Sequence, residues 1–219
     1  LPKLDFRGGI PAACRTMVVI PTLLTDTEEV AYLLRQLERH YLGNADPNIS
    51  FALLGDLIDA PQKHMAEDEK VIAEAVRGIR ELNARHPRSG VNPFYFFNRA
   101  REWNPAEGVW MGWERKRGNL HQFNNLLLGR QFSYRIQIGD LGVLSDIKYV
   151  LTLDADTVLP RDSARKLAAV LAHPLNEPQF SAAGRVTAGY TILQPRTEVK
   201  PTSANQSRFT RIFAGDTGL

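Results

Sequence analysis

The sequence predicts an α/β fold in which a mostly parallel sheet carries helices on both faces. Short runs of apolar residues alternate along the chain with segments whose apolar residues recur at helical spacing. The strand-like runs are apolar throughout, which is typical of parallel strands that are buried on both faces. Because ligands of such sheets bind beyond the carboxyl ends of the strands, the residues that follow each strand are the candidates for function.

The first predicted strand–helix unit covers residues 17–43. Residues 17–20, Met-Val-Val-Ile, form a β-branched apolar run that we expect Pro21 to end. Residues 25–28, Thr-Asp-Thr-Glu, fit a capping box, and the apolar residues after them recur at helical spacing until Gly43.

The second and third predicted strands are residues 49–54 and 94–97. A polar loop and a long amphipathic helix, which closes near His86, separate these two strands. A loop of about fifteen residues follows the third strand, and a loop of that length indicates a functional role.

The last predicted elements are two helices and two strands. A helix through residues 120–128 precedes the fourth strand, residues 149–153, and an apolar stripe marks a helix over residues 164–171. Residues 190–194 are predicted as a further strand.

The composition is that of a globular protein, and we expect residues 1–219 to form a single domain. A hydrophobic fraction of 43% and a charged fraction of 23% exclude a disordered or fibrous chain. The net charge of +3 is too mild to indicate nucleic acid, so we expect no nucleic-acid partner. The single cysteine, Cys14, excludes an internal disulfide and a cysteine zinc cluster.

The ends of the chain predict a piece of something longer. No apolar run approaches the roughly 18 residues that cross a bilayer, and charges near Leu1 exclude a signal peptide. Because the chain begins with Leu rather than Met, we interpret it as a fragment of a longer protein, cut at both ends and itself soluble. A sheet edge left uncovered by the cut predicts self-association as a homodimer.

Acidic residues follow two of the predicted strands. Asp56 ends the second strand, with Asp59 three residues later, and Asp154 and Asp156 come directly after the fourth. Carboxylates at one sheet edge repel one another unless a cation or a hydroxyl-rich ligand lies among them. The Asp-x-Asp pair suits Mg²⁺ or Mn²⁺ that bridges to a diphosphate. The alternative is a turn whose Asp side chains cap the following helix.

Two further clusters lie between the third and fourth strands. Residues 115–118, Arg-Lys-Arg-Gly, place three cations where a loop enters a helix, which favours an anion. The alternative there is a solvated, basic helix start. All three tryptophans, Trp103, Trp110 and Trp113, lie in or beside the long loop. Tryptophan faces stack on sugars but also anchor loops, and anchoring is favoured for at least two of them.

The order of these motifs resembles a known group of enzymes. A strand with Pro-Thr, a strand with Asp, Lys-x-Gly-Asn-Leu and a strand with Asp-x-Asp resemble the nucleotide half of glycosyltransferases with the Rossmann-like GT-A fold, the cellulose synthase type included. The chain resembles more closely the glycosyltransferase region of bacterial cyclic β-1,2-glucan synthases. The stretches that carry this resemblance are residues 1–7, 19–24, 51–56, 103–105, 108–118, 153–157 and 192–196.

The resemblance implies a glucosyltransferase that builds β-1,2-linked glucan from UDP-glucose. It implies a large protein of the bacterial inner membrane with its transferase domain on the cytoplasmic face. The implied partners are UDP-glucose, the growing glucan chain and the remainder of the same polypeptide.

The resemblance also implies roles for individual residues of the nucleotide site. Thr22 and Asp56 would line the uridine pocket. Lys116, Gly118 and Asn119 would lie near the nucleotide and its diphosphate.

The implied metal site consists of two carboxylates. Asp154 would face the nucleotide sugar, and Asp156, together with Asp154, would hold Mg²⁺ or Mn²⁺. Asp59 matches less closely, because related transferases commonly carry an adjacent Asp pair at that place, whereas here it is spaced from Asp56.

One part of the family pattern is not visible in the sequence. UDP-glucose is α-linked and the product is β-linked, so the reaction inverts the anomeric carbon and needs a general base. In the family this base is an Asp after the Asp-x-Asp strand, followed by a Gln-x-x-Arg-Trp-like motif, and the context of Asp216 matches neither. We therefore expect the fold to be truncated before the acceptor half, the base to lie C-terminal to Leu219, and the isolated fragment to be inactive.

Two alternatives remain open from the sequence. One is a non-catalytic nucleotide-binding fragment, which binding without turnover would indicate. The other is a phosphatase of the haloacid-dehalogenase type, with Asp154 as nucleophile and Asp156 as general acid, which a phospho-aspartate at Asp154 would indicate.

Overall fold

The computed structural model describes residues 1–196. They fall into one compact unit, Leu1–Asn176, and a second that begins at Glu177. The strands are β1 (Thr16–Leu24), β2 (Ile49–Leu57), β3 (Phe94–Arg99), β4 (Glu102–Asn104), β5 (Val109–Met111), β6 (Tyr134–Ile138), β7 (Tyr149–Thr152), β8 (Gln179–Phe180) and β9 (Val186–Ala188). The helices are α1 (Thr27–Gly43), α2 (Asp68–Arg85), α3 (Arg115–Leu127) and α4 (Ser163–Leu171).

A five-stranded sheet in the order β6-β3-β2-β1-β7 forms the centre of the first unit. Strands β1, β2, β3 and β7 are parallel, and β6 runs antiparallel to β3 at one edge. In the second unit, β8 and β9 form an antiparallel hairpin. The prediction of a mostly parallel sheet within an α/β fold is confirmed, and the arrangement is Rossmann-like.

Helices cover both faces of this sheet because successive strand residues point to opposite sides. Val18 and Ile20 of β1 face a core with the apolar residues of α1, α2 and α4. Met17 and Val19 face the opposite core, where Phe123 of α3 packs. Apolar side chains on both faces explain why the strand sequences are continuous apolar runs.

The strand order creates a switch in the direction of the chain beside β1. From β1 the chain moves to β2 and β3 on one side, and it later returns to β7 on the other side of β1. The carboxyl ends of β1 and β7 therefore flank the point at which ligands of open α/β sheets bind.

Pro21 does not end the first strand, so that prediction is wrong. The strand continues to Leu24, with Pro21 opposite Leu54 of β2. The carbonyl of Val19 accepts a hydrogen bond from the Leu153 N–H on the β7 side. Pro21, two residues later, points its nitrogen to the same side, where the pairing with β7 has ended. The missing N–H of the proline therefore costs no ladder hydrogen bond.

Several other elements differ from the predictions. The cap of α1 is Asp26, whose carboxylate accepts from two backbone N–H groups, rather than Thr25. Residues 190–194 are not a strand. The long loop contains the β4–β5 hairpin, and the edge strand β6 was not predicted at all. Asp216 lies outside the described residues.

Among residues 1–196, no helix is both long enough and apolar enough to cross a membrane. In this part of the chain, β7 pairs on one side only, with β1, and so forms an edge of the sheet. Self-association through that edge stays a prediction.

Candidate functional site

The end of β7 and the start of α3 meet in an ion pair. Asp154, two residues beyond β7, accepts a hydrogen bond from the ammonium of Lys116 in the first turn of α3. Both side chains are more than half exposed. The two motifs that the sequence analysis selected separately are thus neighbours beside the switch point of the sheet.

The turn that presents Lys116 is built at a cost in backbone strain. Glu114 and Arg115 both have positive φ, 53° and 44°, a region that side chains rarely adopt. Gly118 follows on the next turn, and a Cβ at that position would overlap the backbone carbonyl of Trp113. Glycine at 118 is therefore required for the tight entry into α3.

A buried guanidinium holds this turn in place. Arg99, at the end of β3, donates to both carboxylate oxygens of Asp56, at 2.9 and 2.5 Å. It also donates to the backbone carbonyls of Trp113, at 3.0 Å, and Arg115, at 3.1 Å. The side chains of Arg99 and Asp56 are only 1% and 5% exposed. A pair so deeply buried is stable only because the guanidinium and carboxylate satisfy each other and the adjacent carbonyls.

The Asp56 carboxylate thus binds Arg99 and not solvent. Through Arg99, it helps to position the turn before Lys116. Gly112 permits this close approach, since a Cβ there would lie 2.8 Å from the Asp56 carboxylate. The implied role of Asp56 in a uridine pocket stays a prediction.

Asn119 connects α3 to two strands of the sheet. Its side-chain amide donates to the carbonyl of Leu54 in β2, at 3.1 Å, and its side-chain oxygen accepts from the Tyr134 hydroxyl of β6, at 2.6 Å. Burial raises the pKa of Tyr134, so this hydroxyl stays protonated and keeps donating. With Asn119 itself 1% exposed, its implied place near the nucleotide stays a prediction.

Thr22 lies close to the carboxyl end of β1, opposite Gly55 of β2. It is half-buried, and the next residue, Leu23, is 47% exposed. The Thr22 hydroxyl donates to the carbonyl of Leu23, at 3.4 Å. The structure therefore places Thr22 on the β1 side of the switch point.

The Asp-x-Asp pair stands in an exposed turn directly after β7. The carbonyl of Asp154 accepts from the Thr157 N–H, at 3.0 Å, which closes the turn around Asp156. Both carboxylates are exposed. Within residues 1–196, no group of three His, Cys, Asp or Glu side chains forms a complete metal site. Two carboxylates nevertheless fit Mg²⁺ or Mn²⁺ when diphosphate oxygens and water complete the coordination.

Asp59 belongs to a surface network beside this site. The guanidinium of Arg115 donates to Glu107, at 2.5 Å, and to Asp59, at 2.8 Å. Hydrogen bonds with these two carboxylates raise the pKa of Arg115, Glu107 having the larger effect. Asp59 therefore binds the strained turn at the protein surface, whereas Asp56 supports it from the buried side through Arg99.

Sequence reasoning missed the buried arginines Arg99 and Arg101. Arg101 is 2% exposed and donates to both oxygens of Asp68, at 2.6 and 2.9 Å, and to the carbonyl of Ile58, at 2.6 Å. It thereby joins the start of α2 to the loop after β2. A visible signal was the pair of arginines at 99 and 101, which closely follow the apolar run at residues 94–97.

The tryptophans take different positions in this region. Backbone hydrogen bonds of Trp110 with Ala60, both 2.8 Å, anchor the β4–β5 hairpin to the loop after β2. These bonds are made by the backbone, so the interpretation that the indole side chains anchor the loop stays a prediction. Trp103 and Trp113 are 50% and 43% exposed.

Comparison with known proteins supports the resemblance drawn from the motifs. No protein-family model matches this chain. The chain is 42% identical over 217 residues to cyclic beta-(1,2)-glucan synthase NdvB of Rhizobium meliloti (strain 1021). The matched region is 98% of this chain but spans only 8% of the length of that synthase. The predicted resemblance is confirmed: over nearly its whole length, this chain is a relative of one segment of a cyclic β-1,2-glucan synthase.

Proposed function

We propose that this chain is the nucleotide-sugar-binding part of a glucosyltransferase that uses UDP-glucose to build β-1,2-linked glucan. The observation that carries the proposal is the meeting of Lys116 with Asp154 beside the switch point of the sheet. The similarity to NdvB, whose name describes synthesis of a cyclic β-1,2-glucan, supports the product.

The donor diphosphate binds where Lys116 now meets Asp154. Exposed ion pairs contribute at most about 1 kcal/mol, so a diphosphate readily replaces Asp154 as the partner of the lysine. The positive end of the α3 dipole adds to the attraction for an anion. Thr22 lies on the β1 side of the switch point, across from Lys116 and Asp154, and there it lines the uridine pocket.

Once Lys116 engages the diphosphate, Asp154 and Asp156 are the residues that hold Mg²⁺ or Mn²⁺. Such a metal supplies positive charge that stabilises the departing diphosphate. Asp154 and Asp156 would hold that metal, and Lys116 neutralises part of the phosphate charge directly.

The reaction inverts the anomeric carbon of the glucose. A hydroxyl of the acceptor attacks C1, the new C1–O bond forms as the bond from C1 to the phosphate oxygen breaks, UDP leaves, and the hydroxyl proton passes to a general base. We assign the base to no residue of 1–196.

The wider setting follows the same proposal. The growing glucan is the acceptor, the remainder of a longer polypeptide supplies the acceptor half, and the whole enzyme lies at the cytoplasmic face of the bacterial inner membrane.

Calorimetric titration of UDP and UDP-glucose into the chain, with and without Mn²⁺, tests the proposal. We expect binding that requires Mn²⁺ and that weakens at least about tenfold, or 1.4 kcal/mol, in Asp156→Asn. Asp5→Asn is the control, because Asp5 is an exposed carboxylate that pairs with the nearby Arg7. Failure of the unmodified chain to bind UDP, or equal binding by Asp156→Asn, contradicts the proposal.

A further inference from the structure

A groove of about 440 Å³ lies between the β4–β5 hairpin and the turn before α3. The sequence motifs assign it no ligand. The buried Met111 forms part of its lining, and the exposed Trp103 and Trp113 also border it. Such a concave site with aromatic walls has the form of a ligand-binding site.

The two exposed tryptophans are supported from behind. Trp103 packs against Trp110, with ring centroids 5.8 Å apart, and Trp113 packs edge to face with His121, at 5.9 Å. Each indole is thus held in place while about half of its surface stays exposed to solvent. A fixed, exposed indole face is the surface on which the apolar face of a sugar ring stacks.

The charge of the groove selects against anions. The carboxylates of Glu102, Glu107 and Glu114 outnumber the single guanidinium, that of Arg115. An anionic nucleotide is repelled from such a lining, whereas the hydroxyl groups of a neutral sugar donate to carboxylate oxygens. Stacking surfaces and hydrogen-bond acceptors together fit a neutral oligosaccharide.

The groove also adjoins the donor site. Arg115, which lines the groove, directly precedes Lys116 in the chain, and its guanidinium donates to Glu107 of the groove lining and to Asp59. We propose that this groove binds the neutral glucan chain, by stacking glucose units on Trp103 and Trp113. The inference rests on the proposed function for the identity of the sugar.

Titration of a linear β-1,2-linked gluco-oligosaccharide into the full 219-residue chain tests the groove. We expect Trp103→Ala and Trp113→Ala each to weaken its binding at least about tenfold. Tyr32→Ala is the control, since Tyr32 is an aromatic residue of α1 with comparable exposure, 40%. The far-ultraviolet circular dichroism of each variant must match that of the unmodified chain.

A second readout avoids any dependence on variants that fail to fold. The chain has three tryptophans, so its indole N–H signals are few and can be assigned. The oligosaccharide is expected to shift the signals of Trp103 and Trp113. Absence of any binding, or shifts that spare both residues, overturns the inference.

The same titrations separate this inference from the proposed function. Glucan binding by an unmodified chain that does not bind UDP supports the groove while the donor proposal fails. Glucan binding that persists in Asp156→Asn, with loss of UDP binding, supports both. Loss of UDP binding, with unchanged glucan binding, in Trp103→Ala and Trp113→Ala assigns the groove to the nucleotide and overturns the inference. Because the ligand is neutral, its affinity is also expected to be nearly independent of salt.

Discussion

Arg99 and Asp56 form a buried ion pair whose guanidinium also binds two backbone carbonyls of the turn that presents Lys116. The pair lies at the end of β3 and within β2. It therefore couples the parallel sheet to the first turn of α3. The exposed Lys116 is therefore positioned by the buried charges of Arg99 and Asp56.

Asp56→Asn is expected to destabilise the fold strongly. The substitution leaves the guanidinium of Arg99 buried with no counter-charge, which typically costs about 3–5 kcal/mol. Urea denaturation measures the loss in free energy of unfolding. Asp59→Asn is the matched control, because Asp59 pairs with an exposed arginine and contributes at most about 1 kcal/mol. Equal stabilities of the two variants are incompatible with a structural role for Asp56.

Gly118→Ala is expected to lower stability, although alanine in a helix usually raises it by about 0.5–1 kcal/mol. The added methyl group would collide with the carbonyl of Trp113, and such overpacking costs about 1–3 kcal/mol. Gly8→Ala is the control, because a Cβ there meets no atom within 4 Å. Thermal unfolding shows directly whether the substitution raises or lowers stability. A Gly118→Ala chain more stable than the unmodified one would contradict the close contact of residue 118 with Trp113.

Lys116→Ala is expected to affect ligand binding and spare stability. Its ion pair with Asp154 is exposed, so the free energy of unfolding changes by less than about 1 kcal/mol. Its loss removes a charge-assisted bond to the diphosphate, and UDP affinity should fall at least about tenfold. Lys70→Ala, at an exposed lysine of α2 that pairs with Glu67, should leave UDP affinity unchanged. A Lys116→Ala chain that binds UDP normally would exclude this residue from the donor site.

The Asp68–Arg101 pair is expected to make stability depend on acid pH. Burial alone would raise the pKa of Asp68. The hydrogen bonds from Arg101 and from the Met65 N–H lower that pKa by more than burial raises it, so the net change is a decrease. A depressed folded pKa gives stability that is present above the unfolded value of about 3.9 and is lost as pH falls through the folded pKa.

Acid titration of the free energy of unfolding checks this effect. Asp68→Asn should be less stable at neutral pH and should lose less stability below about pH 4 than the unmodified chain. Glu67→Gln, at the neighbouring exposed carboxylate, should retain the normal pH dependence. Parallel curves for Asp68→Asn and the unmodified chain would contradict the assignment.

The sequence allowed the parallel strands and the long helices to be predicted because the strands are apolar throughout and the helices repeat their apolar residues over several turns. The β4–β5 hairpin escaped because each strand has only three residues, too few to show a period. Lys116 and Asp154 were predicted as members of two separate motifs. The residues around each motif do not indicate that α3 begins close to the end of β7. The Arg99–Asp56 pair depends on the register of β2 with β3, which places Asn98 opposite Gly55. Such a register is a tertiary property that residue patterns along one strand do not contain.

The central claim is that a nucleotide and a divalent metal meet at the turn after β7. Paramagnetic broadening by Mn²⁺ of the backbone amide signals, in the presence of UDP, tests it most directly. The account predicts the strongest broadening at residues 154–157, with effects at Lys116, and loss of both in Asp156→Asn. Broadening centred on the Trp103–Glu107 hairpin, or broadening at residues 154–157 that survives in Asp156→Asn, would contradict it.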